Sequence, residues 1–393
     1  MPLVGTLCWQ VISLCQTLFL MMFRRKLCGG LEMNKTLIVD RTDFSKVEII
    51  DQPEGVLADG SIRVEIGPFA LTANNITYMA VGDLIGYWKF FDPQAYGISR
   101  PEMGRMPVWG YGKVCESKCD TFRVGDRIYG FFPVAERIDL KPVHLTKTGF
   151  QDGTDHRTSL HSVYNSYTIT TADTSFDAAL DDLQPVLRPL FTTSFLIDDF
   201  FGREDMFGAE QVIVISASSK TALGTAFCLK QRGVRTVGLT SARNVEFVKR
   251  TNYYDEVVSY DEIENLSKSV KTALIDMAGN GDVNNDLYTH FGENIVYNCM
   301  VGKSHWEGAR PPKIEAGAPP VMFFAPDQAK DRVAEWGGAG FAKNLGARWV
   351  PFCTSSKEWM DVESLTGDSA LIEAYHALLA GNVDPARPQL FSL

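Results

Sequence analysis

The residues with the clearest chemical meaning lie in VIVISASSKTALGTAF, residues 212–227 of this 393-residue chain. A short β-branched run enters a turn of small polar residues, and a segment with small side chains at helical spacing follows. A strand, tight turn and helix in that order gathers free backbone N–H groups at the positive end of a helix dipole, which suits a dinucleotide pyrophosphate. Ser216, Ala217, Ser218 and Ser219 stand where the usual G-x-G-x-x-G would be, while Ala222 and Gly224 keep the helix slim. The hydroxyls of Ser216, Ser218, Ser219 and Thr221 and the ammonium of Lys220 are therefore candidate phosphate contacts. A nucleoside-triphosphatase is disfavoured, because no G-x-x-x-x-G precedes Lys220-Thr221. The alternative is a doubly wound domain that holds no cofactor.

The next strand ends in VGLTSARN, residues 237–244. An acidic residue there would bind a ribose 2′-hydroxyl and favour NAD. Thr240, Ser241 and Arg243 stand instead, and their hydroxyls and guanidinium suit a 2′-phosphate, so the expected cofactor is NADP(H). Ser241 as a helix cap with a solvated Arg243 is the simpler reading, and the two are compatible.

These residues need a parallel sheet to position them. The wholly apolar run 211–216 predicts a central strand. Helix is predicted at 219–232, 243–252, 261–269 and 282–291, and strand at 234–240, 256–259, 272–277 and 294–301. That alternation means βαβ units and a doubly wound sheet. Residues 321–326 are a candidate edge strand, and 328–336 and 369–381 are helical in pattern. Gly302, Lys303, His305 and Trp306 follow the fifth strand, at the carboxyl end where doubly wound sheets bind ligands. Gly302 is counted among the cofactor residues and His305 among the candidate proton donors.

Upstream, residues 34–150 show short apolar runs broken by Gly, Pro, Asn and Asp, the pattern of an irregular all-β domain. SIRVEIGPFAL, VWGYGKVCE and DRIYGFFPV read as strands, the last two joined by a turn at Val124-Gly125-Asp126. Residues 151–175 read as a loop over a surface or cleft, with Tyr164, Asn165 and Tyr167 as candidate lining, and helix is expected from Phe191. The expected division is an extension at 1–32, a β domain at 33–190 completed by 346–393, and a cofactor domain at 191–345.

Apolar residues make up 45% of the chain and charged residues 22%, an ordinary globular balance. A net charge of −10 disfavours nucleic acid as a partner. The eight cysteines are irregularly spaced and read as reduced thiols rather than a disulfide framework. Residues 3–23 carry no charge and are just long enough to span a bilayer, with Arg24, Arg25 and Lys26 directly after them. Three readings stand: an anchor leaving the body in the cytosol, a segment upstream of a start at Met33, and a cleaved signal.

The chain from about residue 35 to 393 resembles the medium-chain dehydrogenase/reductase superfamily, on a branch known only as a domain of unknown function. VWGYGKVCESKCDTFRVGDRIYGFFP, residues 108–133, is similar to its Gly-rich strand followed by V-G-D-R-V. LTANNITYMAVGD (71–83) and TTSFLIDDF (192–200) sit where members carry N-x-x-D-x-x-x-R-x-G and T-A-Y. The resemblance implies a GroES-like β-barrel beside a Rossmann domain, with Thr193 on the helix at the nicotinamide. The zinc ligands of the alcohol dehydrogenases are missing: Ala73-Asn74-Asn75 and Val108–Tyr111 replace them, and Cys115 and Cys119 are too few for a structural zinc lobe. No metal is expected, and the resemblance points to the quinone- and enoyl-reductase side. Tyr78 falls where zinc-free members often place a tyrosine that polarises a carbonyl; packing at the domain edge is the plainer alternative. Asn74 and Asn75 orient substrate or cofactor, or satisfy a turn. The implied activity is NADPH-dependent reduction of an activated C=C or C=O in a small molecule, in a cytoplasmic protein that pairs with a second copy. The competing reading is a non-catalytic NADPH-binding sensor or scaffold.

Overall fold

The computed structural model describes residues 32–172, 177–302 and 314–393. Residues 3–23, Lys303, His305 and Trp306 lie outside that set. Among the described residues no helix is long and apolar enough to cross a membrane.

The first half is a mainly antiparallel barrel. β1 (Met33–Asp40) pairs with β2 (Val47–Pro53). β3 (Ile62–Leu71) then leads into two short helices, α1 (Ala73–Ala80) and α2 (Gly82–Ile85). β4 (Met103–Gly104) joins β1, while β5 (Pro107–Ser117) and β6 (Arg127–Pro133) form the hairpin predicted around Gly125, which has φ +102°. β7 (Arg137–Leu140), β8 (Pro142–Val143), β9 (Gly149–Asp152) and β10 (Ser166–Ile169) complete the barrel's own strands. Segment 151–172, expected as a loop, thus contributes strand β10, held antiparallel between β6 and β9.

The second half is the doubly wound sheet. α3 (Leu183–Arg203) leads into β11 (Gln211–Ile215), α4 (Lys220–Arg232) and β12 (Thr236–Thr240). α5 (Val245–Thr251), β13 (Glu256–Ser259), β14 (Thr272–Asp276), α6 (Gly281–Phe291), β15 (Ile295–Met300) and β16 (Pro320–Met322) follow. The six strands are parallel in the order β13-β12-β11-β14-β15-β16. That order reverses direction between β11 and β14, which opens a crevice at their carboxyl ends. Ile213 and Ile215 pack on one face with Leu287 of α6, and Val212 and Val214 on the other with α3 and α4.

Two elements differ from expectation. α3 starts at Leu183, not Phe191: Pro185 sits in its first turn, where no intrahelical N–H is needed, and the helix runs on through Pro189 in its interior. Residues 260–265 form a 3-10 turn rather than an α-helix.

The long helix α7 (Ala325–Ser356) is broken at Gly337, with φ +71°. Its second part still packs on the parallel sheet's core through Leu345, Trp349 and Phe352. Only after Met360 does the chain return to the barrel, through β17 (Glu363–Thr366), α8 (Asp368–Leu379) and β18 (Gln389–Ser392), which pairs with β3. The boundary at 346 therefore falls inside α7. The two halves are the GroES-like and Rossmann folds that the sequence motifs implied.

Candidate functional site

The phosphate-type turn forms because β11 ends at Ile215 and the next residue, Ser216, has a φ of +62° that turns the chain sharply. A non-glycine residue in that region is unfavourable and marks a position with a job. Ser219 N–H donates to the Ser216 carbonyl at 2.9 Å, and the Ser219 hydroxyl caps α4 by accepting from Ala222 N–H. Gly224 lets α4 lie against α3: a Cβ there would sit 2.6 Å from Ser194 Oγ. Ser194 Oγ in turn donates to the Thr221 carbonyl at 2.7 Å, which locks the first turn of α4 in place.

Lys220 extends from that turn and is half-buried, with no hydrogen bond or ion pair among the described residues. Burial lowers its ammonium pKa to about 8, partly offset by the Asp384 carboxylate. An unpaired, partly desolvated ammonium beside a helix N-terminus is suited to an anion.

A cavity of about 880 Å³ runs from this turn between the two halves. Ser218, Thr240, Ser241 and Arg243 line it on one side and the C-terminal segment 381–389 on the other. Asn244 Nδ2 donates to Ser218 Oγ at 3.1 Å. Ser241 occupies the cap position of the turn 242–244, yet its hydroxyl makes no cap bond and stays available. Arg243 donates to the Gly381 carbonyl at 2.6 Å, so it also ties the parallel sheet to the barrel's tail.

A second cavity of about 620 Å³ continues from the first. Asn74, Leu190, Ser216, Ser219 and Thr221 line both, so the two form one cleft. Its far end is apolar, with Met277, Met300, Phe323 and Phe324, together with Thr193 and Gly302. A Cβ at Gly302 would meet the Met277 carbonyl at 2.2 Å, so only glycine fits where β14 and β15 end.

Tyr78 lines this far end from α1. Its phenol oxygen accepts from Asn74 Nδ2 and from Trp109 Nε1, both at 3.1 Å. Indole N–H can only donate, so both acceptor positions of the phenol are taken while its own O–H has no acceptor among the described residues. Burial raises its pKa, opposed by those two hydrogen bonds, and it stays a neutral phenol. Residues 73–80 form a helix, not a turn, which places Asn74 and Tyr78 four apart on one face.

Asn75 is not part of the site. Its Oδ1 accepts from Thr72 N–H and its Nδ2 donates to the Pro107 carbonyl, so both ends are spent starting α1 and fixing it to β5. Asn165 and Tyr167 also point elsewhere. Asn165 donates to the Arg157 carbonyl, and Tyr167 donates to the Phe131 carbonyl at 2.8 Å. Tyr164 does line the cleft.

Sequence reasoning missed Trp109, Tyr87, Met277 and segment 381–389, which no local spacing marks. Among the described residues no three His, Cys, Asp or Glu side chains are grouped to hold a metal ion.

A family described as Protein of unknown function (DUF2855) matches residues 69–384. No curated protein sequence matches the chain. Among solved structures, the chain is similar to the yhdH oxidoreductase from Salmonella enterica in complex with NADP, at 13% identity and TM-score 0.51, over 91% of this chain and 99% of that one. CurA from Vibrio vulnificus in complex with NADPH aligns at 15% identity and TM-score 0.57, over 91% and 98%. A mutant form of enoyl thioester reductase from Candida tropicalis aligns at 11% identity and TM-score 0.57, over 92% and 100%. These likenesses bear out the two-part fold.

Proposed function

The chain belongs to the family described as Protein of unknown function (DUF2855), and we propose that it is an NADPH-dependent reductase of an activated C=C or C=O bond in which Tyr78 polarises the acceptor oxygen. One observation carries this reading: a single cleft joins the phosphate-type turn to an unspent phenol O–H. The similarity to solved structures with NADP or NADPH bound supports the choice of cofactor.

The residues present fit such a cofactor. The turn at Ser216–Ser219 and the unpaired Lys220 would hold the pyrophosphate. Thr240, Ser241 and Arg243 would hold the 2′-phosphate, and Thr193, Thr221 and Gly302 would face the nicotinamide half. When bound, NADPH supplies the hydride.

Tyr78 donates its O–H to the substrate carbonyl oxygen, a bond that strengthens as that oxygen gains charge. The N–H groups of Trp109 and Asn74 then stabilise Tyr78 Oη as its proton moves to the substrate. Leu190, Met300 and Phe323 keep water from the reacting atoms and raise the strength of every polar contact there.

The test is to titrate the chain with NADPH, then to follow NADPH consumption with 2-cyclohexen-1-one, 3-buten-2-one and crotonyl thioester. Binding with turnover of any probe supports the proposal. Binding without turnover favours the sensor or scaffold reading, and failure to bind NADPH removes both.

A further inference from the structure

The apolar end of the cleft contains a second polar feature that the reduction chemistry above does not use. Tyr87 lies in a 3-10 turn (Tyr87–Lys89) directly after Gly86, and Tyr164 in another (Ser162–Tyr164). They are 77 residues apart in sequence, yet their hydroxyl oxygens are 2.7 Å apart. Both side chains line the cleft, and the residues are only 5% and 7% exposed.

A phenol has one hydrogen to donate. One of the pair donates to the other, and the remaining O–H has no acceptor among the described residues. A buried donor without an acceptor is unfavourable, so a pair kept in this state at a cavity wall suits an incoming oxygen. The Tyr78 ring lies 4.7 Å from Tyr87 and 6.1 Å from Tyr164, centre to centre, and all three line the cavity, so the wall around the pair is aromatic. Such a wall favours a flat guest. No Lys, Arg or His is among the described residues lining this cavity, so nothing there pairs with an anion and a neutral carbonyl or ether oxygen is the guest that suits the pair.

Taking the reductase reading as premise, we propose that the substrate is a flat, largely apolar enone with a second, neutral acceptor oxygen, which the Tyr87–Tyr164 pair binds while Tyr78 binds the reacting carbonyl. Tyr87 and Tyr164 are then specificity residues. Burial holds both as neutral phenols, consistent with donation to an uncharged oxygen.

The experiment uses the full chain with NADP+, which has no hydride to give, and four saturated ketones: 4-phenylbutan-2-one and its ortho-, meta- and para-methoxyphenyl analogues. Calorimetry gives each dissociation constant. One methoxy isomer should bind about tenfold tighter than the parent, the size of one good neutral hydrogen bond. In the double variant Tyr87→Phe/Tyr164→Phe that ratio should fall to about one. Removing both partners together orphans neither, so the variant should fold, and circular dichroism checks it. If it does not fold, the single variants decide: one of them should abolish the ratio. No favoured isomer in the wild type overturns the proposal, as does a preference that survives in the double variant or in both single variants. The ratio is measured without turnover. Failure of the reductase reading would show separately, as no consumption of 4-phenylbut-3-en-2-one.

Discussion

Trp109 Nε1 donates to Tyr78 Oη at 3.1 Å, joining a barrel strand to a helix that faces the cleft. Because the indole cannot accept, this bond fixes which way the phenol proton points. It also stabilises negative charge on Tyr78 Oη, against a burial that opposes it.

Tyr78→Phe should therefore reduce kcat with little change in NADPH affinity. Loss of a donor that matters most in the transition state should raise the barrier by about 2–4 kcal/mol. Trp109→Phe should reduce kcat less, by about tenfold, and lessen its solvent isotope effect only if another step becomes limiting. Steady-state kinetics on the best probe checks both, and an unchanged rate in Tyr78→Phe returns that residue to packing.

Lys220 should make NADPH affinity depend on pH. Burial lowers its ammonium pKa to about 8, and only the charged form attracts phosphate. Affinity should be full below that pH and fall as pH rises through it. In Lys220→Met the affinity should be weaker and nearly flat from neutral to mildly alkaline pH. Titrations across that range decide, and a wild-type profile matched by the variant would clear Lys220 of the role.

Arg243→Ala should weaken NADPH by about tenfold, one charge-assisted contact after screening, and leave NADH almost unchanged. The bond from Arg243 to the Gly381 carbonyl adds a second effect, since its loss frees segment 381–389 at the cleft edge. Comparing both cofactors separates the two. Equal weakening would mean that Arg243 only ties the halves together.

Gly224→Val should destabilise the cofactor half. Its Cβ would fall 2.6 Å from Ser194 Oγ and 3.1 Å from Phe191 Cδ2, both in the packed seam with α3. Overpacking of this kind typically costs about 1–3 kcal/mol. Valine relieves the helix penalty of glycine by only a few tenths of a kcal/mol, so the clash wins. A lower thermal midpoint by circular dichroism is expected, and an unchanged one would mean that the seam yields.

Local pattern determined the parallel sheet. QVIVI and TALID are wholly buried central strands because the runs Val212–Ile215 and Ala273–Ile275 are apolar and unbroken, and the turn at Ser216–Ser219 follows from small polar residues between strand and helix. The hairpin around Gly125 was legible for a similar reason: the chain reverses where glycine permits it. The cleft was legible only on the side built from that turn. Asn74 and Asn75 are chemically identical neighbours, and sequence could not separate them. The helix at 73–80 aims one at Tyr78 and turns the other to the Pro107 carbonyl. Trp109 reaches Tyr78 across 31 residues and Tyr87 reaches Tyr164 across 77. Arg243 reaches Gly381 across 138. Contacts at such separation leave no periodicity in the chain, because they depend on how the barrel, the sheet and the returning tail pack together. Sequence determined which elements form and where a phosphate could rest; tertiary packing alone decided which side chains face the same cavity.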